Sequence, residues 1–556
     1  MKIRALFLLI HLSFYSQTVT LNEDFVYNTI RDKQLKGEFR SDISLAIRPI
    51  ESDLFSKTTE KLYSTILSNK SKSLSIKNLP ININSEFNSK HPYNRNNGSM
   101  IPNRGLQTIL SGGIFLKAGP LSIQLKPEYH FAENKNFDGF WEGHYPVIWA
   151  KRYRLWNKTD LPQRHGFEKF SRLLLGQSNI KLNYKKLSLG ISNENIWWGP
   201  SIRNSIMMSN HARGFKHITF NSREPLNTPI GKIEWQLVTG RLEASGYTPP
   251  NPDYEYAGTK LWAPKINQIW EVDDWRYFQG YIIKLSPKNI DNLHIGFIRW
   301  VQMYSALLEG KYEWFEGKTN YFPIFNNLFR KNDRIGDYEG HTDQAAGIFM
   351  RWIWKDSKAE IYAEYHYNDS KQNLRDLILD SDHSRAVTLG LQKIFDFNNQ
   401  YFKFSWEWTQ MEQTAGRLLR NAKSWYEHDW IYHGYTNYGE VLGSSIGPGS
   451  NSHFFSLSKV NENNNYGIAF EIIDNDNDFY HEAFSSAQDP RRYWKDFNIH
   501  FRFTKRIKKL WISSSLIYSK SLNYQWELDD RTTPYFHPGK DVDNFHLSLK
   551  LLKSIF

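Results

Sequence analysis

From about residue 110 onward, apolar side chains occupy every second position in one short segment after another. From Phe402 to Trp408, two Phe and two Trp alternate with Lys, Ser and Glu, and Phe497 to Phe503 follows the same pattern. A period of two places successive side chains on opposite faces of a β-strand. The chain is therefore predicted to be all-β, with strands that have one apolar and one polar face.

Soluble β-sandwiches also alternate, so other features decide the class of β-protein. The apolar face of a segment often ends in Tyr or Trp, as at the interfacial girdle of a membrane barrel. The opposite face carries Lys, Glu, His and Arg, as expected for a polar lumen. A closed barrel leaves no strand edge unpaired in lipid. We predict a transmembrane antiparallel β-barrel over residues 106–556. About 25 residues per strand gives roughly sixteen to twenty strands, and an even number places both termini in the periplasm.

Composition agrees with this class and excludes others. Aromatic residues make up 16% of the chain although its mean hydropathy is −0.60. After the N-terminus no stretch reaches the run of about 20 apolar residues that a membrane helix needs. Cysteine is absent, which excludes disulfides, thiolate metal sites, thiol nucleophiles and a lipoprotein anchor.

The net charge of +12 bears on the partners. Lys and Arg are spread along the whole chain, which does not indicate a nucleic-acid module. For an exported protein, acidic polysaccharide and the phosphates of lipopolysaccharide are the expected partners of a basic surface. Ordinary surface charge is the alternative.

Both ends of the chain predict export to the outer membrane of a Gram-negative bacterium. Residues 1–20 read as a signal peptide, with Lys2 and Arg4 before an apolar stretch and cleavage near Ser16 or Gln17. The last segment alternates from Phe545 onward and ends at Phe556. Outer-membrane barrels have such a terminal strand, which their insertion machinery recognises. We therefore expect that machinery and outer-membrane lipid among the partners.

Residues 21–105 differ from the rest. They are polar and rich in Ser, Asn and Lys, with an amphipathic helical stretch near Leu54 to Leu67 and a loop-like segment from His91 to Arg104. We predict a small periplasmic region that is partly helical and packs under or into the barrel. A largely flexible region is the alternative.

Two segments are too particular for a generic barrel. The first runs from Asn195 to Phe215, contains Trp-Trp-Gly-Pro, and is followed by Gly-Arg-Leu-Glu at 240–243. The second is Trp425 to His428, with His433 to His453 after it. At these residues the chain resembles the Wzi-type capsule assembly family in its Bacteroidetes form, over roughly residues 105–556. Ser201 stands where a glycine often follows the Gly-Pro pair.

The resemblance implies an outer-membrane β-barrel of about eighteen strands with a periplasmic helical part. It also implies that the protein attaches capsular or extracellular polysaccharide to the cell surface, as a lectin-like anchor rather than an enzyme. The alternatives are a porin or transport channel and, third, an outer-membrane hydrolase.

The candidate glycan-binding residues come from these segments. Indole faces stack on sugars, and guanidinium groups pair with carboxylates or phosphates in a planar fork. Alternatively, the two Trp form a packed corner or girdle, and the Arg form ladders with Glu243, Glu364 and Glu407 in the lumen. The candidates are Trp197, Trp198, Arg203, Asn210, Arg213, Arg241, Trp425, Tyr426, His428, Tyr435, Asn437 and Glu440.

No cofactor, metal or catalytic group is expected. Asp474 to Asp478 resembles the start of a calcium loop, but Phe479 and Ser485 stand where such a loop has Gly and Glu. Neither a nucleophile elbow nor a phosphate-binding loop occurs.

Overall fold

The computed structural model describes residues 17–55, 74–263, 275–308, 322–325, 342–368, 373–420, 422–461, 464–489, 491–529 and 538–554. Most of the predicted signal peptide (1–16), most of the predicted helical stretch (56–67) and Phe556 lie outside these residues.

Among the described residues, twenty-one strand segments close into one barrel. Three strands each comprise two segments that share the same neighbours, which gives eighteen antiparallel strands. In chain order these are β1 (Leu74–Asn88), β2 (Gly105–Ala118), β3 (Leu121–Leu125 and Glu128–Ala132), β4 (Phe170–Leu174 and Asn179–Tyr184), β5 (Leu187–Ser192), β6 (His217–Ser222 and Leu226–Thr228), β7 (Gly231–Leu242), β8 (Arg276–Pro287), β9 (Leu293–Tyr304), β10 (Asp343–Trp354), β11 (Ala359–Asn368), β12 (Arg385–Phe397), β13 (Gln400–Gln410), β14 (Asn451–Val460), β15 (Asn464–Asp474), β16 (Lys495–Ile507), β17 (Leu510–Leu522) and β18 (Val542–Lys553). The predicted fold class and strand number are confirmed.

The barrel closes where β18 pairs with β1, from His546 opposite Asn88 to Lys553 opposite Ile81. The boundary predicted at residue 106 therefore falls inside the barrel, because β1 belongs to its wall. This strand is rich in Asn and Ser, and its register shifts between Leu79 and Asn82, around Pro80. Both features weaken the alternation by which a strand is recognised in a sequence.

The two ends of the barrel differ. Short turns join β2 to β3, β12 to β13 and β16 to β17, whereas long segments such as 133–169 and 411–450 connect strands at the other end. The start of β1 and the end of β18 lie at the short-turn end. In outer-membrane barrels the short turns face the periplasm and the long loops face the cell exterior.

The alternation of apolar and polar residues along the strands corresponds to the outer and inner faces of the barrel. Large apolar side chains such as Leu110, Ile348 and Phe501 are exposed on the outer face of the barrel, while Glu407 and Thr409 on the inner parity of β13 are buried. A continuous apolar exterior with a polar interior suits a wall in contact with lipid.

Within the described residues, no helix combines the length and apolar character needed to cross a bilayer.

Residues 17–55 lie within the lumen. They contain helix α1 (Asp24–Leu35), the strand Thr18–Val19 paired with Ile50–Glu51, a 3-10 turn (Ser52–Phe55), and Ile47–Arg48 paired with Trp197–Trp198. Val26, Ile30 and Leu35 of α1 are buried. Residues 17–20, which the sequence placed in the signal peptide, are buried in this segment.

The long loops carry the remaining elements. These are helices α2 (Pro146–Trp156), α3 (Ser305–Leu308), α4 (Leu374–Leu379) and α5 (Asn477–Ser486), the 3-10 turns Pro323–Phe325, Ala415–Leu418 and Tyr524–Trp526, and the short pairs Glu255–Tyr256 with Thr259–Lys260 and Thr436–Asn437 with Glu440–Val441. Helices α2 and α5 share an aromatic core that includes Trp149, Trp156 and Phe479. This core covers part of the exterior end.

Candidate functional site

Two long loops, residues 193–216 and 411–450, fold inward and carry most of the predicted site residues. The Trp-Trp-Gly-Pro turn helps to direct the first of these loops inward. Gly199 has φ +118°, and a Cβ there would lie 2.3 Å from Glu364 Oε1. A side chain at this position is therefore incompatible with the turn.

Carboxylates of the barrel wall hold the first loop. Glu407 accepts hydrogen bonds from the backbone N–H of Ile202 (2.7 Å), Arg203 (3.1 Å) and Asn204 (2.8 Å). Glu364 accepts one from the backbone N–H of Ser201 (3.0 Å). Because buried amides need partners, these two carboxylates define where the loop is attached.

The predicted arginine ladders form only in part. Arg241 pairs with Glu243 at 2.5 Å and lies over the ring of Trp275, but its side chain is exposed and is not in the lumen, where the ladders were predicted. The Arg203 guanidinium instead pairs with Glu471 at 2.7 Å. Arg213 forms no salt bridge among the described residues and lies over the ring of Tyr438.

Five of the predicted residues are packed inside the plug formed by the two loops. Trp198 donates from Nε1 to Gln236 (2.8 Å), and Tyr435 stacks on Trp300 with ring centroids 3.9 Å apart. All five are nearly inaccessible, which matches the packed-corner alternative rather than a sugar platform. They are Trp198, Trp425, Tyr426, His428 and Tyr435.

A small cleft at the exterior end gathers three other predicted residues. This outer cleft has a volume of about 30 Å³ and is lined by Arg172, Arg213, Tyr247, Tyr438, Asn437 and Glu440, among others. Asn437 and Glu440 are buried, whereas Arg172 is exposed. Glu440 Oε2 contacts His211 Nε2 at 2.9 Å, but its Oε1 has no hydrogen-bond partner in the described part of the chain.

A larger cavity lies at the periplasmic end. This inner chamber has a volume of about 310 Å³ and lies between α1 and the inner faces of β13 to β18. Trp197, Arg203 and Asn210 line it. Asn210 Nδ2 donates to Asn22 Oδ1 and to the backbone oxygen of Asn96, both at 3.0 Å.

The acidic segment 474–478 has internal partners. Asp476 accepts from the backbone N–H of Phe479 (3.1 Å) and caps α5. Asp478 binds Arg417 at 2.6 Å and Ser424 at 2.7 Å. Across the residues that the structure describes, no group of three or more His, Cys, Asp or Glu is placed to hold a metal ion.

Sequence reasoning missed the residues that 17–55 contribute to the lumen. Arg48 lies over the ring of Trp197 (4.4 Å to the centroid), and Arg31 pairs with Glu360 on β11. Nothing in the local sequence of this polar region signals these contacts, because each depends on a residue more than a hundred positions away.

The fold and the filled lumen define a class, the outer-membrane β-barrels whose interior is closed by their own N-terminal segment and loops. The chain belongs to the capsule assembly protein Wzi family, whose model matches residues 105–532. The predicted family is thus confirmed, and with it an outer-membrane location.

Among solved structures, the chain is similar to Wzi of Escherichia coli, described as an outer membrane protein involved in group 1 capsule assembly and a carbohydrate-binding β-barrel. The identity is 10%, the match covers 97% of this chain and 99% of that one, and the TM-score is 0.56. OccAB2 of Acinetobacter baumannii (8% identity, 86% and 98% covered, TM-score 0.38) and OpdK of Pseudomonas aeruginosa (7%, 86% and 98%, 0.34) also match. No curated protein sequence matches significantly.

Proposed function

We propose that the protein attaches capsular or extracellular polysaccharide to the outer surface of the outer membrane, as a non-enzymatic, lectin-like anchor. The outer cleft carries this proposal, because in the described part of the chain it combines cations that lack a salt bridge, aromatic rings and an acceptor without a hydrogen-bond partner at the exterior end. Family membership and the fold shared with a carbohydrate-binding barrel support it.

The chemistry of the cleft suits an acidic sugar. Arg172 and Arg213 form no salt bridge in the described residues. Arg172 Nη2 contacts the Tyr247 hydroxyl at 3.5 Å, and the other N–H groups remain for a uronate or a phosphate. Tyr247 adds an aromatic ring to the lining, whereas the ring of Tyr438 lies against the Arg213 guanidinium. Among the described residues, buried Glu440 Oε1 has no hydrogen-bond partner, and a sugar hydroxyl would satisfy it.

A filled lumen favours anchoring over transport. Helix α1 and the two inward loops pack against the barrel wall across the lumen, and Ile206, Tyr426 and Tyr435 belong to the same buried core as Phe278 and Trp300 of the wall. A purified barrel should therefore give no large, steady conductance in planar bilayers.

Export through a signal peptide is part of this proposal. A signal peptide ending before Gln17 would free the segment that enters the lumen. Lipopolysaccharide, outer-membrane lipid and the barrel insertion machinery complete the proposed partners.

Polysaccharide retention by cells tests the anchoring. Deletion of the gene should leave the polymer made but shed into the medium. Arg172→Ala/Arg213→Ala should reduce the cell-bound fraction about tenfold or more, because each lost charge-assisted contact contributes about 1.5–3 kcal/mol. The control is Lys151→Ala/Arg154→Ala, which removes two cations of α2 that already contact Glu482.

The outcomes separate two failures. If deletion leaves the polymer on the cell, the anchoring function is wrong. If deletion sheds the polymer but the Arg172→Ala/Arg213→Ala variant retains it, the outer cleft is not the binding site.

A further inference from the structure

The inner chamber has the size of a ligand site. Its volume of about 310 Å³ lies at the lower end of the range of about 300–1,000 Å³ for small-molecule pockets. Asp24 and Asn28 of α1 line the chamber and are exposed. The chamber therefore opens beside α1, at the periplasmic end of the barrel.

Its charge is unbalanced. Four of its cations have carboxylate partners, in the pairs Arg31–Glu360, Lys403–Asp32, Lys550–Asp24 and Arg203–Glu471. Three more, Arg48, Arg95 and Arg502, line the chamber and form no salt bridge among the described residues. One lining carboxyl, Glu86, also lacks a cation partner and accepts from Asn97 Nδ2 at 3.0 Å. In the described lining, cations without a salt-bridge partner thus outnumber carboxyls without one.

Two of these arginines are held against aromatic rings. The Arg48 guanidinium lies 4.4 Å from the ring centroid of Trp197, and that of Arg502 lies 5.4 Å from the centroid of Phe454. The Nε atoms of both are buried and have no hydrogen-bond partner in the described part of the chain. Contact with a ring restricts the guanidinium plane. Arg48 Nη2 also donates to the backbone oxygens of Gly199 (3.4 Å) and Ser201 (3.2 Å), which leaves its other N–H groups for an oxyanion.

The strands around Arg502 contribute small hydroxyl residues to the lining of the chamber. These include Ser456 and Ser458 of β14, Ser513 and Ser515 of β17, and Ser548 of β18. Small side chains leave the volume of the chamber open, and their hydroxyl groups both donate and accept hydrogen bonds. This suits a ligand with several hydroxyls.

We infer that the inner chamber is a second binding site, open to the periplasm, for an acidic sugar unit. The carboxylate or phosphate of that sugar pairs with Arg48 and Arg502, and its hydroxyls face the serines of the lining. That the ligand is a sugar rests on the proposed function. The chamber is separate from the outer cleft, so the protein has a site for the polymer at each end of the barrel.

Calorimetric titration of the purified full-length protein in detergent tests this site. The Arg172→Ala/Arg213→Ala background is used, so that heat from the outer cleft does not contribute. Glucuronate and glucose 6-phosphate should bind, and glucose and inorganic phosphate should each bind at least about tenfold more weakly, since each lacks one half of the recognised group. The inference is overturned if glucose or inorganic phosphate binds as tightly as the two acids. It is also overturned if neither acid binds.

Three variants in that background locate the binding. Arg48→Gln/Arg502→Gln should weaken both acids at least about tenfold, and Ser456→Leu, which fills the chamber without changing charge, should do the same. Arg506→Gln, on β16 but outside the chamber lining, should bind as the background does. Heat-modifiable gel mobility verifies that each barrel is folded. Acid binding that survives both chamber variants overturns the site, whereas failure of polymer retention by cells concerns only the anchoring.

Discussion

Arg31 of α1 and Glu360 of β11 are 329 positions apart in the chain and form a buried ion pair, with Nε 2.5 Å from Oε1. The same carboxylate accepts from Arg351 of β10 at Nε (2.9 Å) and Nη2 (2.6 Å). One anion therefore joins helix α1 to two strands of the wall.

Loss of this shared anion should be worse than loss of one of its cations. Glu360→Gln leaves two buried guanidinium groups without a counter-ion and should cost about 3–5 kcal/mol of the free energy of unfolding. Arg31→Met should cost less, because Glu360 still pairs with Arg351. Urea denaturation in lipid vesicles measures both variants. An Arg31→Met variant that is less stable than Glu360→Gln would contradict this account.

Trp198 should act on stability rather than through direct contact with sugar. Its side chain is fully buried and donates to Gln236. Trp198→Ala should lower the free energy of unfolding by about 3–5 kcal/mol, as expected for a large aromatic removed from a core. The matched control is Trp430→Ala, since Trp430 is 41% exposed and its loss should change the unfolding free energy little. Similar losses in both variants would show that burial does not govern the effect.

Glu407 should keep the first inward loop attached to the wall. In Glu407→Gln, one carboxylate oxygen becomes an NH₂ group that cannot accept from the loop amides. Leaving a buried amide unpaired costs about 1–3 kcal/mol, so exchange of the Ile202 to Asn204 amides with deuterium should accelerate about tenfold or more. Glu243→Gln, at a partly exposed ion pair, serves as the control. Unchanged exchange would mean that other contacts position the loop.

The cap of α5 should weaken as pH rises. Burial, with nearby acidic groups such as Asp478, raises the pKa of Asp476 from 3.8 to about 7, and burial raises the pKa of Asp478 to about 6. Between pH of about 4 and 7 the folded state thus holds protons that the unfolded state has released, so stability falls as pH increases through this window.

Asp476→Asn tests the origin of this dependence. Asn caps a helix about as well as Asp and carries no charge, so the variant should lose part of the decline in urea midpoint between pH 5 and pH 8. The remainder comes from other buried carboxyls with raised pKa values, such as Asp478 and Glu427. A wild-type protein that is more stable at pH 8 than at pH 5 would refute the sign.

The sequence predicted most strands of the barrel wall, and the strand it missed is β1. Alternation is a local property, so β13 and β16 were recognisable from their own residues. Strand β1 was not, because Asn, Ser and Pro80 obscure its period and its place is set by pairing with β18, more than four hundred positions away.

In the candidate site, too, the sequence predicted some features and the tertiary structure decided others. The motif residues predicted the family, and three of them line the outer cleft. Trp197 and Trp198 are adjacent in the chain, yet one lines the inner chamber and the other is in the core. Local sequence by itself determined which side of each recognised strand meets lipid, because that depends on a period of two. Only the tertiary structure decided what fills the lumen and which cations have a carboxylate partner, because those contacts join residues that are distant in the chain.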